Sequence, residues 1–288
     1  MKKILTLISA ALLGAFLLAA ACFFIFPLPG QIPVLMYHFV GSRDDAAQQK
    51  NFVSRESFAA QMAFLKRWGY RPISLEEYFE IKTGARRAGG REVVLTFDDG
   101  NTTFGSEALP ILRRYRFPVT VFLVSESVKH GHHGSMTEPV IQGILKSDAY
   151  VGIASHSKTH PFLSRITPEQ LEDELKGSRL DLETMFGRPI RFLAYPSGDL
   201  NEEVLESARR AGYDLAFTTS AKKLKNLPEG PYSLTRIKIS RSSDLAPAFW
   251  FKLSGLYGAY KKSVRPSSRG AGGSAPGGPG LDLPQKAA

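Results

Sequence analysis

With one cysteine in 288 residues, Cys22, the chain has no disulfide within it, so its stability must come from its core. No internal repeat is present. No basic stripe interleaved with aromatic residues runs through it, which argues against nucleic acid as a partner. The formal net charge is +10, yet little of it lies in the middle of the chain. Lys2 and Lys3 carry two charges. Residues 261–288 hold Lys261, Lys262, Arg265, Arg269 and Lys286 against Asp282, a net of four. The long middle therefore also carries four. Basic ends suit an anionic membrane or envelope polymer.

What is present begins with a long apolar run. Lys2-Lys3 precedes Ile4–Phe26, 23 residues almost without interruption. As a helix they span roughly 34 Å at about 1.5 Å per residue, enough to cross a bilayer. The paired lysines should stay in the cytoplasm, which places the rest of the chain outside it, periplasmic or extracellular. Residues 1–26 read as a retained single-pass signal anchor, with cleavage or lipidation at Cys22 as the alternatives. Residues 27–31 read as a linker, 32–260 as one catalytic domain, and 261–288 as a disordered basic tail rich in Ser, Gly, Pro and Ala. The 43% apolar share is enough for one large core.

Phe58, Met62, Leu65 and Trp68 recur at helical spacing, so 55–68 reads as an amphipathic helix. Strands are expected over 92–97, 118–124, 150–155, 190–195 and 213–219. Helices are expected between them over 104–115, 137–147, 168–186 and 201–211. Thr167 followed by Pro168 is a helix start. Ser233–Ser240 alternates and reads as one late strand. This βαβα order implies a mostly parallel sheet or barrel.

Four apolar strand-like runs end on polar clusters: Ile32–Tyr37 on His38, Val93–Phe97 on Asp98-Asp99-Gly100, Tyr150–Ser155 on His156-Ser157-Lys158-Thr159-His160, and Arg191–Tyr195 on Pro196-Ser197-Gly198. Barrel and open α/β enzymes place their chemistry just past such strand ends. Of Asp98 and Asp99, one carboxylate can face a metal while its neighbour reaches a reacting water; the bland reading is a turn. His156 and His160 share one face of a helical turn and can reach one ion; alone they are equally well surface histidines. Two histidines and one carboxylate leave positions open for water and substrate, the pattern of catalytic sites. A backbone N–H in the turn at Ser197 could stabilise an oxyanion. His130, His132 and His133 read as a flexible polar loop.

Thr96-Phe97-Asp98-Asp99-Gly100, His156-Ser157-Lys158-Thr159-His160 and Tyr195-Pro196-Ser197-Gly198, in that order, resemble the first three motifs of the polysaccharide deacetylases, the NodB-homology family or carbohydrate esterase family four. The resemblance covers roughly residues 32–240. It implies a distorted (β/α) barrel that removes acetyl groups from N-acetylated sugars. By that pattern Asp98 is the base, Asp99, His156 and His160 bind a divalent metal, and the Ser197 N–H sits in the oxyanion hole. The ligand set suits Zn²⁺ first, with Co²⁺ or Ni²⁺ also accommodated. The chain departs from the pattern in two places: Ala194 stands where the family commonly has arginine, and no late Leu-x-Leu-His follows residue 240. Pro33–His38 and Thr235-Arg236-Ile237 resemble a rearranged branch that includes deacetylases of poly-β-1,6-N-acetylglucosamine. There His38 supplies the missing acid and Arg236 orients Asp98. A histidine near neutrality can give the leaving amine its proton.

The expected function is metal-dependent N-deacetylation of an N-acetylglucosamine-containing envelope or extracellular polysaccharide. The rivals are an O-acetyl esterase on the same site, a carbohydrate-binding pseudoenzyme, and an envelope scaffold held by its basic tail.

Overall fold

The computed structural model describes residue 14 and residues 32–42, 51–219, 227, 230–244 and 246–254. The expected anchor, linker and basic tail lie outside the described residues, residue 14 apart. Among the described residues no helix is long and apolar enough to cross a membrane.

Eleven strands are described. They are β1 (Val34–Tyr37), β2 (Phe39–Gly41), β3 (Phe52–Ser54), β4 (Arg71–Ile73), β5 (Glu92–Phe97), β6 (Val119–Leu123), β7 (Val151–Ser155), β8 (Phe192–Ala194), β9 (Leu215–Thr218), β10 (Leu234–Thr235) and β11 (Ile237–Lys238). β2 and β3 form a separate parallel pair. The others make one sheet in the order β10-β9-β8-β7-β6-β5-β1-β11, with β4 beside β5. Every pairing is parallel. Helices between successive strands account for this, since a parallel pair needs a crossover.

The late segment expected as one strand is split by its pairing. Leu234 and Thr235 pair with Phe217 and Thr218 of β9, and Ile237 and Lys238 pair with Leu35 and Met36 of β1. Between them, the Arg236 N–H bonds the Thr218 carbonyl at 2.9 Å. Five residues thus join the two open edges of the sheet and nearly close a barrel. Closure satisfies backbone groups that an open edge would leave bare.

Strand alternation divides the core in two. Leu35, Tyr37, Val93, Leu95 and Phe97 pack with Phe58, Met62 and Leu65 of the helix Arg55–Arg67. Val34, Val94, Phe122, Ala154, Ala194 and Phe217 form a second cluster on the opposite strand faces, inside the barrel. Thr96 and Asp98 share the face of Val94 and so point inward. Tyr37 and Phe97 stack at 5.1 Å, and Phe58 and Phe104 meet them edge-on at 5.2 and 5.1 Å. This aromatic group braces the ends of β1 and β5 from the helix side.

The expected helices form with local changes. Thr167 caps its helix in a reciprocal box with Gln170. The stretches 104–115 and 168–186 each contain one wider π turn, Phe104–Ala108 and Asp173–Gly177. The short elements β2, β3, β4 and the helix Leu75–Lys82 were not among the expected elements; three-residue strands carry too little periodicity to read.

A buried carboxylate anchors the start of β5. The Glu92 carboxylate accepts N–H bonds from Gly89 at 2.6 Å and Gly90 at 2.8 Å, and one from Arg71 at 2.8 Å. Burial pushes its pKa up, but Arg71 and the loop N–H groups outweigh that and lower it to about 2. Glu92→Gln is expected to lose about 2 kcal/mol at pH 7, the scale of hydrogen bonds to a charged group. A depressed carboxylate stabilises above its unfolded pKa and stops doing so as pH falls through the folded one. The gap between wild type and variant should therefore close between about pH 4.5 and 2. Urea unfolding at several pH values checks this; an equal gap at pH 2.5 and 7 would refute it.

Candidate metal centre and active site

The register of β1 against β5 brings two of the candidate residues together. Tyr37 pairs with Phe97, so His38 and Asp98 are the next residues on adjacent strands. The His38 Nε2 lies 4.0 Å from Asp98 Oδ2. The barrel-closing segment adds the third group. Arg236 donates Nη1–H to Asp98 Oδ1 at 2.6 Å and Nη2–H to Oδ2 at 2.7 Å. It also reaches Thr96 Oγ1 at 3.2 Å, and its guanidinium lies 4.9 Å from the Phe122 ring centre. This bidentate pair is fully buried: Arg236 is 0% and Asp98 2% exposed at the side chain.

Ala194 contributes a carbonyl in place of a guanidinium. The Nδ1 of His156 lies 2.7 Å from the Ala194 oxygen. A carbonyl only accepts, so Nδ1 carries the proton and donates, and Nε2 is left with its lone pair. That Nε2 sits 3.6 Å from Asp99 Oδ1 and 3.8 Å from Asp98 Oδ2. The His160 Nε2 lies 3.8 Å from Asp99 Oδ1. One ligand atom from each of Asp99, His156 and His160 falls within 4.8 Å of the others.

The backbone that presents these groups is strained. Asp99, Ser157, His160 and Ser197 all have positive φ, between 54° and 68°. Asp and His tolerate this region better than branched residues do, and such outliers gather at functional sites. Gly100 follows at φ 62°, and a Cβ there would come within 2.7 Å of Leu123. The tight turn that reverses Asp99 against Asp98 therefore requires glycine.

The two carboxylates are shifted in opposite directions for physical reasons. Burial pushes Asp98 up, but Arg236, then His156 and His38, hold it well below the usual carboxylate range. Burial raises Asp99 above its ordinary value, and the anionic Asp98 adds to that against the pull of His156. His156 is lowered by burial despite both carboxylates. Burial also lowers His38 to about 4, with Asp98 pulling upward and Arg236 and Lys238 downward. This differs from the near-neutral histidine expected from sequence, because the barrel mouth strips water from the ring. Its Nδ1 is buried with no hydrogen-bond partner among the described residues.

A cleft of about 570 Å³ opens on Asp99 and His160. Phe39, Asn101, Glu126, His132, Ser135 and Thr159 line it further out. His130 and His132 are not in a flexible loop. His130 ends the short helix Ser125–His130, its Nε2 3.1 Å from Glu126 Oε2, and its ring stacks on His132 at 5.2 Å. The side chain of His133 lies outside what is described. Ser197 stands exposed in the turn after β8, on the same strand-end rim. Among the described residues, no hydrogen bond or ion pair joins it to the metal-ligand group. Phe39 and Thr159 are cleft residues that sequence reading missed; each is next to a recognised motif residue, and that adjacency was the available signal.

Comparison with known proteins agrees with this geometry. Residues 85–216 match the family described as polysaccharide deacetylase. The chain is 29% identical over 238 residues to YxkH of Bacillus subtilis, a provisionally named polysaccharide deacetylase, covering 82% of this chain and 78% of that one. It is 22% identical over 216 residues to the poly-β-1,6-N-acetyl-D-glucosamine N-deacetylase of Staphylococcus epidermidis, covering 71% and 74%. The structure of the Streptococcus pyogenes deacetylase PplD in complex with acetate superposes with a TM-score of 0.69 at 28% identity, covering 79% of this chain and 99% of that one. Motifs, barrel and relatives agree: residues 85–216 match a polysaccharide deacetylase domain, and the chain around them resembles proteins of that family.

Proposed function

We propose that this chain is a metal-dependent N-deacetylase of an N-acetylglucosamine-containing polysaccharide, working outside the cytoplasm from a membrane anchor at residues 1–26. The observation that carries the reading is the division of labour between adjacent carboxylates. Both Asp98 oxygens are engaged by Arg236, whereas Asp99 turns its carboxylate to His156 and His160. Two ligands about 2.1 Å from a tetrahedral Zn²⁺ lie about 3.4 Å apart. The 3.6 and 3.8 Å separations here fit that spacing. The His156 Nε2 lone pair is left open and the three ligand atoms lie within 4.8 Å of one another, so Asp99, His156 and His160 would hold the ion. Zn²⁺ is the first choice for this donor set, with Co²⁺ or Ni²⁺ also suited.

When bound, such a cation polarises the acetyl carbonyl and eases ionisation of a water beside it. Asp98 takes one proton from that water as its oxygen bonds the acetyl carbon. The Ser197 N–H is assigned to the developing oxyanion. Burial keeps His38 neutral at rest, so the proton it gives the sugar nitrogen is the one Asp98 has just received, passed on once the two side chains, 4.0 Å apart here, come within hydrogen-bond reach. The carbon–nitrogen bond then breaks, leaving acetic acid and a free amine, which ionise to acetate and an ammonium sugar. Phe39 lines the cleft, and we assign its ring to the apolar face of a sugar.

The direct test is acetate release from defined N-acetylglucosamine oligomers by the full chain, with and without chelator. Release that chelation stops supports the reading. Release from acetylated xylan alone would replace it with an O-acetyl esterase. His38→Ala should keep its metal and lose about 10²-fold or more in turnover on the N-acetyl substrate. An O-acetyl ester with a good leaving group needs less acid help and should lose less. Equal losses on both would make His38 structural.

A further inference from the structure

The helix that begins at Pro168 departs from α geometry at one place, the π turn Asp173–Gly177. Single π turns within helices recur at functional sites, where they re-aim a side chain. Here the re-aimed side chain is Glu174, 7% exposed. Its Oε2 accepts the N–H of Lys158 at 2.9 Å and of Thr159 at 3.0 Å. Its Oε1 accepts the Thr159 hydroxyl at 2.5 Å. All three donors belong to the loop that links His156 to His160.

The same turn makes two further contacts there. Asp173 holds the Lys158 ammonium at 2.9 and 3.0 Å. Just past the turn, Ser178 Oγ meets Ser155 Oγ, at the last residue of β7, at 2.9 Å. The helix thus grips the loop at residues 155, 158 and 159, on both sides of His156 and immediately before His160.

The loop needs gripping because two of its residues, Ser157 and His160, are left-handed at φ 65° and 66°. Such residues are costly and persist only where the surroundings over-determine them. A buried carboxylate taking two consecutive N–H groups and the neighbouring hydroxyl supplies that constraint. It fixes the path that brings His160 Nε2 to 3.8 Å from Asp99.

We propose that Glu174 is a positioning residue for the metal centre: it pre-forms the His156–His160 loop and so sets the affinity of the site for its cation. This rests on the metal reading above. Leucine at 174 has similar volume and no acceptor, so it loses all three bonds, whereas glutamine can keep them, its oxygen taking both N–H groups and its NH₂ donating to the Thr159 hydroxyl.

The test is Zn²⁺ titration of the full chain in competition with a chromophoric chelator. Glu174→Leu should weaken binding by about 10–100-fold, the usual effect of losing an outer partner of a metal ligand. Thr159→Val removes only the hydroxyl bond and should weaken binding by a smaller factor, which Thr159→Ser restores. Asp173→Asn breaks only an exposed ion pair and should leave affinity unchanged. Thermal unfolding without metal, and amide exchange at residues 157–160, separate positioning from general stability. Faster exchange in the loop with weakened Zn²⁺ binding supports the proposal. Wild-type affinity in both Glu174→Leu and Thr159→Val, with only a lower Tm, overturns it. Should Glu174→Leu fail to fold, the Thr159 pair decides. A wild-type chain that binds no Zn²⁺ sinks the metal reading and this proposal together, whereas normal wild-type binding with unchanged variants sinks this proposal alone.

Discussion

Asp98→Asn is expected to keep the metal and lose about 10²–10⁴-fold in turnover, the range for removing a general base. The amide cannot accept the proton of the attacking water. Its second consequence follows from burial. Arg236 is 0% exposed at its side chain and is paired with Asp98 at 2.6 and 2.7 Å. Neutralising the partner leaves a buried cation uncompensated, a loss of about 3–5 kcal/mol for such pairs. Asp98→Asn should therefore also melt earlier. Adding Arg236→Met removes the stranded charge and should recover much of the stability without recovering turnover. Metal content, Tm and acetate release on the two variants check each part. Near-normal turnover in a folded Asp98→Asn would end the assignment of Asp98 as base.

Removal of a metal ligand should have the largest effect on activity. Asp99→Asn and His156→Ala are each expected to lose bound metal and acetate release together, down to background. Asparagine is the better choice at 99, because it tolerates the left-handed backbone there and keeps the turn. His156→Ala also abandons the bond to the Ala194 carbonyl, which orients the ring and sets its tautomer. Chelator challenge followed by metal analysis is the measurement. Full occupancy in either variant would show that the ion, if any, is held elsewhere. His160 is the most exposed of the three ligand candidates, at 37%, so its substitution should perturb the fold least.

Much of the fold and of the candidate site is legible in the amino-acid sequence. The apolar runs 92–97, 118–124 and 150–155 are buried strands within a residue of their expected ends, because a strand buried on both faces must be apolar throughout. Thr167 caps where its side chain and the following proline require it. The two-histidine, two-aspartate constellation can be recognised from spacing, since chemistry at strand ends needs only strand order to be found. Period-two alternation even implies that Asp98 shares the face of Val94 and Thr96, and Asp99 does not.

Other features depend on contacts between residues far apart in the chain, which no local pattern encodes. Arg236 and Asp98 are 138 residues apart and meet only because one segment pairs with both edges of the sheet. That segment alternates like any single strand, so its division between β9 and β1 had no sequence signal. The shift of His38 to about 4 is likewise a product of burial at the barrel mouth rather than of its neighbours in sequence. Glu174 sits in a helix whose sequence reads as ordinary amphipathic α, and only a π turn aims it at the loop of His156 and His160. The sequence by itself determined which candidate residues stand at the strand ends and which strands they follow. The tertiary structure alone decided which carboxylate is clamped and which is free, because that depends on where a distant arginine is buried.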